Sequence, residues 1–171
     1  MNIITNKDEL IDAVGNAMEN YINEFSAGWY IDYTDQTVVM IEDYIFELDE
    51  DKKSDVQWEK DMIDIVKNHQ LERIDNPSDE VKRQVMMNFA EMQPDKNTAG
   101  HLRFSIIQQQ EFASFDNVVR ELRLERQWAA FRADEYRRIA KKWVKKKRFD
   151  FVDGRLVRRT DWQVQKKKAL R

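Results

Sequence analysis

Cysteine is absent from the 171-residue chain. That removes a disulfide framework, a thiolate zinc site, an iron–sulfur cluster and a thiol nucleophile together, and it fits a reducing compartment. Glycine is nearly absent too, with four residues, and proline contributes two. Gly-rich phosphate loops therefore have little material: no Gly-x-Gly-x-x-Gly, no phosphate-binding Lys-Ser/Thr loop and no Gly-x-Ser-x-Gly elbow occurs, and nucleotide-hydrolase and serine-hydrolase readings fall with them. No apolar run approaches the roughly 18 residues of a membrane span, and no charged, apolar, small-residue leader is visible. A cytoplasmic chain without a membrane partner is expected.

Histidine is scarce as well. His69 and His101 are not at metal spacing with each other, and neither sits in a His-x-x-x-His or His-Glu-x-x-His pattern. Both read as helix-end or surface histidines. The acidic run over residues 47–55 lacks the central Gly and alternating oxygen ligands of a calcium loop, and reads as a solvated loop. No catalytic residue, metal ligand or cofactor is predicted, and the expectation is a protein that is not an enzyme.

What the chain does have is apolar mass and segregated charge. At 42% apolar and 11% aromatic it is too rich in core-forming residues to be disordered, and its length suits about one domain. The net charge of −3 conceals a gradient: residues 1–64 carry 4 basic against 17 acidic side chains, whereas residues 101–171 carry 20 against 9. Such asymmetry points to a charged partner for one end, or to ends that neutralise each other within the fold or across a homodimer.

Periodicity supplies the elements. Asn6 caps a first helix carrying Leu10, Val14, Met18, Tyr21, Ile22 and Phe25, which ends before Gly28. Residues 29–33 and 37–41 are β-branched or aromatic and flank Thr34-Asp35-Gln36, which predicts a two-stranded hairpin. A helix from Ser54 carries Val56, Met62, Ile63 and Val66, and a short extended piece follows over residues 71–75. Ser78 then caps a helix bearing Val81, Val85, Met86 and Phe89, which stops before Pro94.

Residues 97–100 read as a linker. Three helical stretches come after it. The first holds Leu102, Phe104, Ile106 and Ile107, and the second Phe112, Phe115, Val118, Val119 and Leu122. The third, about residues 125–147, turns Trp128, Phe131, Ile139, Ala140 and Trp143 inward as one stripe that packs on Phe112 and Phe115. At Lys147 the period changes to alternation around Asp153-Gly154, a strong hairpin signal, because a type I′ turn needs two positive-φ residues. The expected fold is α+β and predominantly helical, divided into a helical domain with an early hairpin over residues 1–147 and a basic hairpin and tail over residues 148–171.

Four of these features together resemble the bacterial Uncharacterised Protein Family numbered one-five-eight. They are the early hairpin Tyr30-Ile31-Asp32-Tyr33 to Thr37-Val38-Val39, the Met86-Met87-x-Phe89 helix, the Phe112-x-x-Phe115-x-x-Val118 helix, and the run from Leu122 through Trp128, Phe131 and Tyr136 to Trp143. The resemblance covers roughly residues 29–143 and implies a fold and a bacterial or phage origin, but no reaction. Where that family has Gly-x-Gly-Ala before its Phe-x-x-Phe helix and basic residues within it, this chain has Gln108, Gln110 and Glu111, then Ala113 and Ser114. An anion-binding Gly-rich turn is not carried over.

The basic C-terminal region is the main feature outside the core. Residues 137–171 hold 15 basic against 3 acidic side chains. Arg138, Lys141, Lys142 and Lys145 recur at three-to-four spacing on one helical face; Lys146, Lys147, Arg148, Arg155, Arg158 and Arg159 extend the group. Each could neutralise a phosphate of DNA or RNA and release a counterion, with Phe149, Phe151 and Trp162 offering surface for exposed bases. The alternative use of the gradient is a protein–protein adaptor or inhibitor of phage or mobile-element origin, whose acidic side chains Glu47, Asp49, Glu50 and Asp51 meet a basic host protein. A lysine-rich solvated helix that binds nothing satisfies the same pattern.

Overall fold

The computed structural model describes residues 3–21, 26–48, 55–108 and 112–158. The fold is α+β and mostly helical, as expected. Its chain groups into two compact units, Met1–Asp75 with Arg137–Arg171, and Asn76–Tyr136. The division therefore does not fall at residues 147/148: the late hairpin belongs with the N-terminal residues, through contacts described below.

The first unit opens with helix α1 (Lys7–Glu19). Asn6 Oδ1 accepts the Glu9 amide at 3.0 Å, and Glu9 Oε2 accepts the Thr5 amide at 2.8 Å, so two otherwise orphaned donors are satisfied reciprocally. The helix ends earlier than the apolar spacing predicts, because Asn20 turns its side-chain amide back onto the Asn16 carbonyl at 2.8 Å; of the further apolar positions, Ile22 and Phe25 lie outside the described residues.

Strands β1 (Ala27–Asp32) and β2 (Thr37–Glu42) form the expected hairpin, with Asp32 opposite Thr37. It is not two-stranded, however: the extended piece after α2 becomes β3 (Leu71–Arg73) and pairs antiparallel with β1, giving the order β2-β1-β3. Directly opposed residues share a face. One face carries Tyr30, Val39 and Ile41, which form a buried cluster with Ile45 from the short 3₁₀ turn Asp43–Glu47; Met62, Ile63, Ile65 and Val66 of α2 (Gln57–Asn68) pack against it. Helix α2 starts later than expected, at Gln57, with Val56 extended before it; Ser54 itself lies outside the described residues. The other face of the sheet carries Ile31, Val38 and Glu72.

The late hairpin forms as expected, with β4 (Phe149–Val152) and β5 (Arg155–Arg158) joined by Asp153 at φ 52° and Gly154 at φ 73°. It docks within this unit. Phe149 lies against Trp143 and Tyr33, at ring separations of 5.4 and 6.3 Å, and Leu156 is buried.

The second unit contains α3 (Asp79–Met92), α4 (Lys96–Gln108) and α5 (Phe112–Glu121). Helix α6 (Glu125–Lys147) contributes its first half here and its second half to the first unit. Ser78 Oγ accepts the Val81 amide at 3.3 Å, as its sequence predicts. Residues 97–100 are not a linker but the first turn of α4: Asp95 Oδ2 accepts the Thr98 amide at 2.7 Å, an N-cap immediately after Pro94.

The core of this unit is an aromatic cluster in which Phe89 meets Trp128 at 5.1 Å, Phe131 at 5.4 Å and Phe115 at 6.4 Å. The inward positions of α6 do not act as one stripe on Phe112 and Phe115. Trp128 and Phe131 serve this cluster, whereas Trp143 packs on Phe149 and donates its indole N–H to Asp75 at 2.8 Å. Phe112 instead lies under the cations of Lys82 and Arg83, and Phe104 and Ile107 of α4 are exposed.

Candidate functional site

The predicted basic residues separate into two groups. The second half of α6 places Arg138, Lys141, Lys142, Lys145 and Lys146 on the surface. Lys141, Lys142, Lys145 and Lys146 recur at four-residue spacing over successive turns, and none has a carboxylate within ion-pair distance among the described residues. Their position in the last turns of the helix sets their charge against the negative end of its dipole, which favours lysine there. Arg148 follows at once, exposed and in the left-handed conformation at φ 60°.

The second group is engaged inside its own unit. Lys147 Nζ lies 3.7 Å from Asp75 Oδ2 and 5.4 Å over the Trp143 ring. Arg158 donates from Nε to Glu72 Oε2 at 2.5 Å, and Glu72 also accepts the Tyr33 hydroxyl at 2.6 Å. Glu72 is 7% exposed, so the guanidinium supplies the partner that a buried carboxylate requires. Burial pushes the Tyr33 hydroxyl well above its ordinary range, and the Glu72 carboxylate raises it further. The same carboxylate holds Arg158 still more firmly in its charged form. Arg155 reaches the Thr34 carbonyl at 3.5 Å. Arg159 lies outside the described residues.

Part of the charge gradient is therefore neutralised internally. Arg137, which the sequence did not single out, lies 2.6 Å from Asp12 and 3.6 Å from Asp8, so acidic α1 meets the basic helix directly. On the acidic side, Glu47 is exposed at the end of the 3₁₀ turn, and Asp49, Glu50 and Asp51 lie outside the described residues.

A cluster that the sequence did not disclose closes the β1–β2 turn. Asp32 is 1% exposed. Its Oδ1 accepts the amides of Thr34 and Asp35 at 2.9 and 3.2 Å, and its Oδ2 lies 2.7 Å from Nδ1 of His69, the residue that ends α2. Asp35 Oδ2 is 3.8 Å from the same nitrogen. The hydrogen bond to Asp32 raises the affinity of the imidazole for a proton, with Asp35 and Asp64 adding to the effect and burial opposing it. Hydrogen bonds account for the Asp32 contacts, whereas Asp35 approaches the ring at an ion-pair distance only. His69 is at a helix end, as expected, but its ring is a long-range partner and not a surface group.

Next to this cluster the late hairpin is clamped by a side-chain amide. Gln36 is 6% exposed; its Oε1 accepts the Leu156 amide at 2.5 Å, and its Nε2 donates to the Leu156 carbonyl at 3.3 Å. One glutamine thus satisfies both backbone groups of a strand residue, as a neighbouring strand would.

A mostly apolar groove lined by Tyr21, Ser26, Trp29, Met40, Glu42 and Tyr44 also lies in the first unit. Among the described residues, no helix is long and apolar enough to cross a membrane. No family model, no curated protein and no solved structure matches the chain.

Proposed function

We propose that the protein is a non-enzymatic, cytoplasmic binding protein that holds the phosphate backbone of DNA or RNA on the second half of α6. One observation carries this reading. Internal partners take up Lys147 and Arg158, while Lys141, Lys142, Lys145 and Lys146 remain on the surface without a carboxylate partner among the described residues. Lysines on successive turns of one rigid helix present ammonium groups along a line, which suits a polyanion and gives affinity without base choice.

The late hairpin contributes less than its charge suggests, because Arg158 is held by Glu72 and Arg155 leans on the Thr34 carbonyl. Membership of Uncharacterised Protein Family one-five-eight, with its bacterial or phage origin, belongs to the same proposal. The shared motifs lie on β1, β2, α3, α5 and α6 and contribute no reaction.

The test is fluorescence anisotropy of the full chain with two duplexes of unrelated sequence at low and moderate salt. Affinity should fall steeply with salt and be alike for both duplexes. Replacing Lys141, Lys142, Lys145 and Lys146 together with Gln should flatten the log–log salt slope by about 0.9 for each phosphate that is no longer neutralised. Absence of binding at low salt, or binding that the fourfold variant retains with an unchanged slope, would overturn the proposal.

A further inference from the structure

Residues 32–36 meet the end of α2, which is far away in the chain, and one titratable ring joins the two. Asp32 ends β1, Asp35 sits in the following turn, and His69 ends α2 just before β3. Two backbone-linked contacts flank the ring: the Tyr33 amide donates to the Gln70 carbonyl at 2.9 Å, and the Gln70 amide donates to Thr34 Oγ1 at 3.1 Å. The turn in turn holds the late hairpin through Gln36 on Leu156 and the Thr34 carbonyl on Arg155. Whatever tightens the turn tightens the seat of the late hairpin.

We propose that Asp32, Asp35 and His69 form a proton-operated latch, which closes the β1–β2 turn onto the α2–β3 junction when His69 is protonated and loosens at Asp35 when it is not. The charges that face the ring are those of Asp32 from β1, Asp35 from the turn and Asp64 from α2; Arg155 of β5 reaches the turn at the Thr34 carbonyl. An imidazolium satisfies this acidic surround. A neutral ring keeps its Nδ1–H on Asp32 but no longer attracts Asp35, leaving two carboxylates side by side.

Asp32 is buried and pinned by two turn amides, whereas the Asp35 side chain is 59% exposed, so Asp35 is the part that moves. Because the folded state favours the protonated ring, the latch is fully closed below the ordinary histidine value of about 6.5 and opens as pH rises through the higher value that His69 holds.

The test is an NMR titration of the full chain from about pH 5 to about pH 9, following the His69 ring with the Thr34 and Asp35 amides. The ring should titrate with a midpoint above about 6.5, and both amides should shift with that same midpoint. His69→Gln should abolish the amide titration. Asp35→Asn, which leaves the Asp32 contacts in place, should lower the ring midpoint, and it keeps the proposal testable even where an Asp32 variant does not fold. A His69 midpoint at or below about 6.5 would overturn the latch. So would amides that stay flat through the ring's titration, or that titrate unchanged in His69→Gln.

Discussion

The two hairpins of the first unit solve the same problem by different means. The late one is self-contained: Asp153 and Gly154 take the two left-handed positions of a two-residue turn, and Val152 faces Arg155 directly across it. The early one has a four-residue turn without glycine, and Gln36 must adopt the left-handed conformation at φ 58°. Its shape is held by the Asp32 carboxylate within the turn and by His69, Gln70 and Leu156 from elsewhere in the chain. A turn written in its own dipeptide can form alone, whereas a turn written in remote partners exists only once the surrounding unit has formed.

That contrast can be broken from several sides. The largest effect is expected from Ile31→Ala, at the fully buried centre of β1 between β2 and β3. A loss of about 2 to 5 kcal/mol should appear in urea unfolding, because a core deletion leaves a cavity as well as removing buried surface. Gln36→Ala comes next. It strips both backbone groups of Leu156 of their partner, and stability should fall by about 1 to 3 kcal/mol; hydrogen exchange should speed up at Leu156 while the β4–β5 ladder keeps its protection.

Gly154→Ala tests the other turn by forcing a Cβ into a left-handed position, at a cost of roughly 1 to 2 kcal/mol. Nothing lies within 4 Å of the added atom, so the loss should come from the backbone alone and leave the early hairpin's exchange rates unchanged. Smallest is the fourfold Lys-to-Gln change on α6. Exposed substitutions shift stability in either direction by a few tenths of a kcal/mol, and relieving like-charge repulsion offsets what is lost. The fourfold variant should therefore stay within about 0.5 kcal/mol of the parent, and thermal unfolding should separate it from Arg158→Gln, which strands the buried Glu72.

The elements legible in the sequence are those whose causes are local. Asn6 and Ser78 cap their helices, alternation marks β1 and β2, and the Asp-Gly pair marks the late turn. Residues 97–100 mislead because Gly100 looks like a breaker, although Asp95 after Pro94 is an available cap signal. The pairing of β3 with β1 joins residues about 40 positions apart, and no local pattern declares such a partner. His69 meets Asp32 only through that pairing. Likewise, charge counting identifies the basic stretch but cannot divide Lys141 from Lys147, since the difference lies in Asp75 and Trp143 being placed under the latter.

The route of the chain has a consequence for how the protein is made. The first unit is assembled from Met1–Asp75 and from Arg137–Arg171, with the whole of Asn76–Tyr136 lying between them in sequence. During synthesis the intervening helices leave the ribosome as an uninterrupted stretch with its own aromatic core, while in the first unit Gln36 still lacks Leu156 and Glu72 still lacks Arg158. Segments that close late stay exposed longest in a nascent chain. The order of completion thus runs from the middle of the sequence outward, and the late hairpin, among the last described residues translated, is the piece that finishes the part begun first.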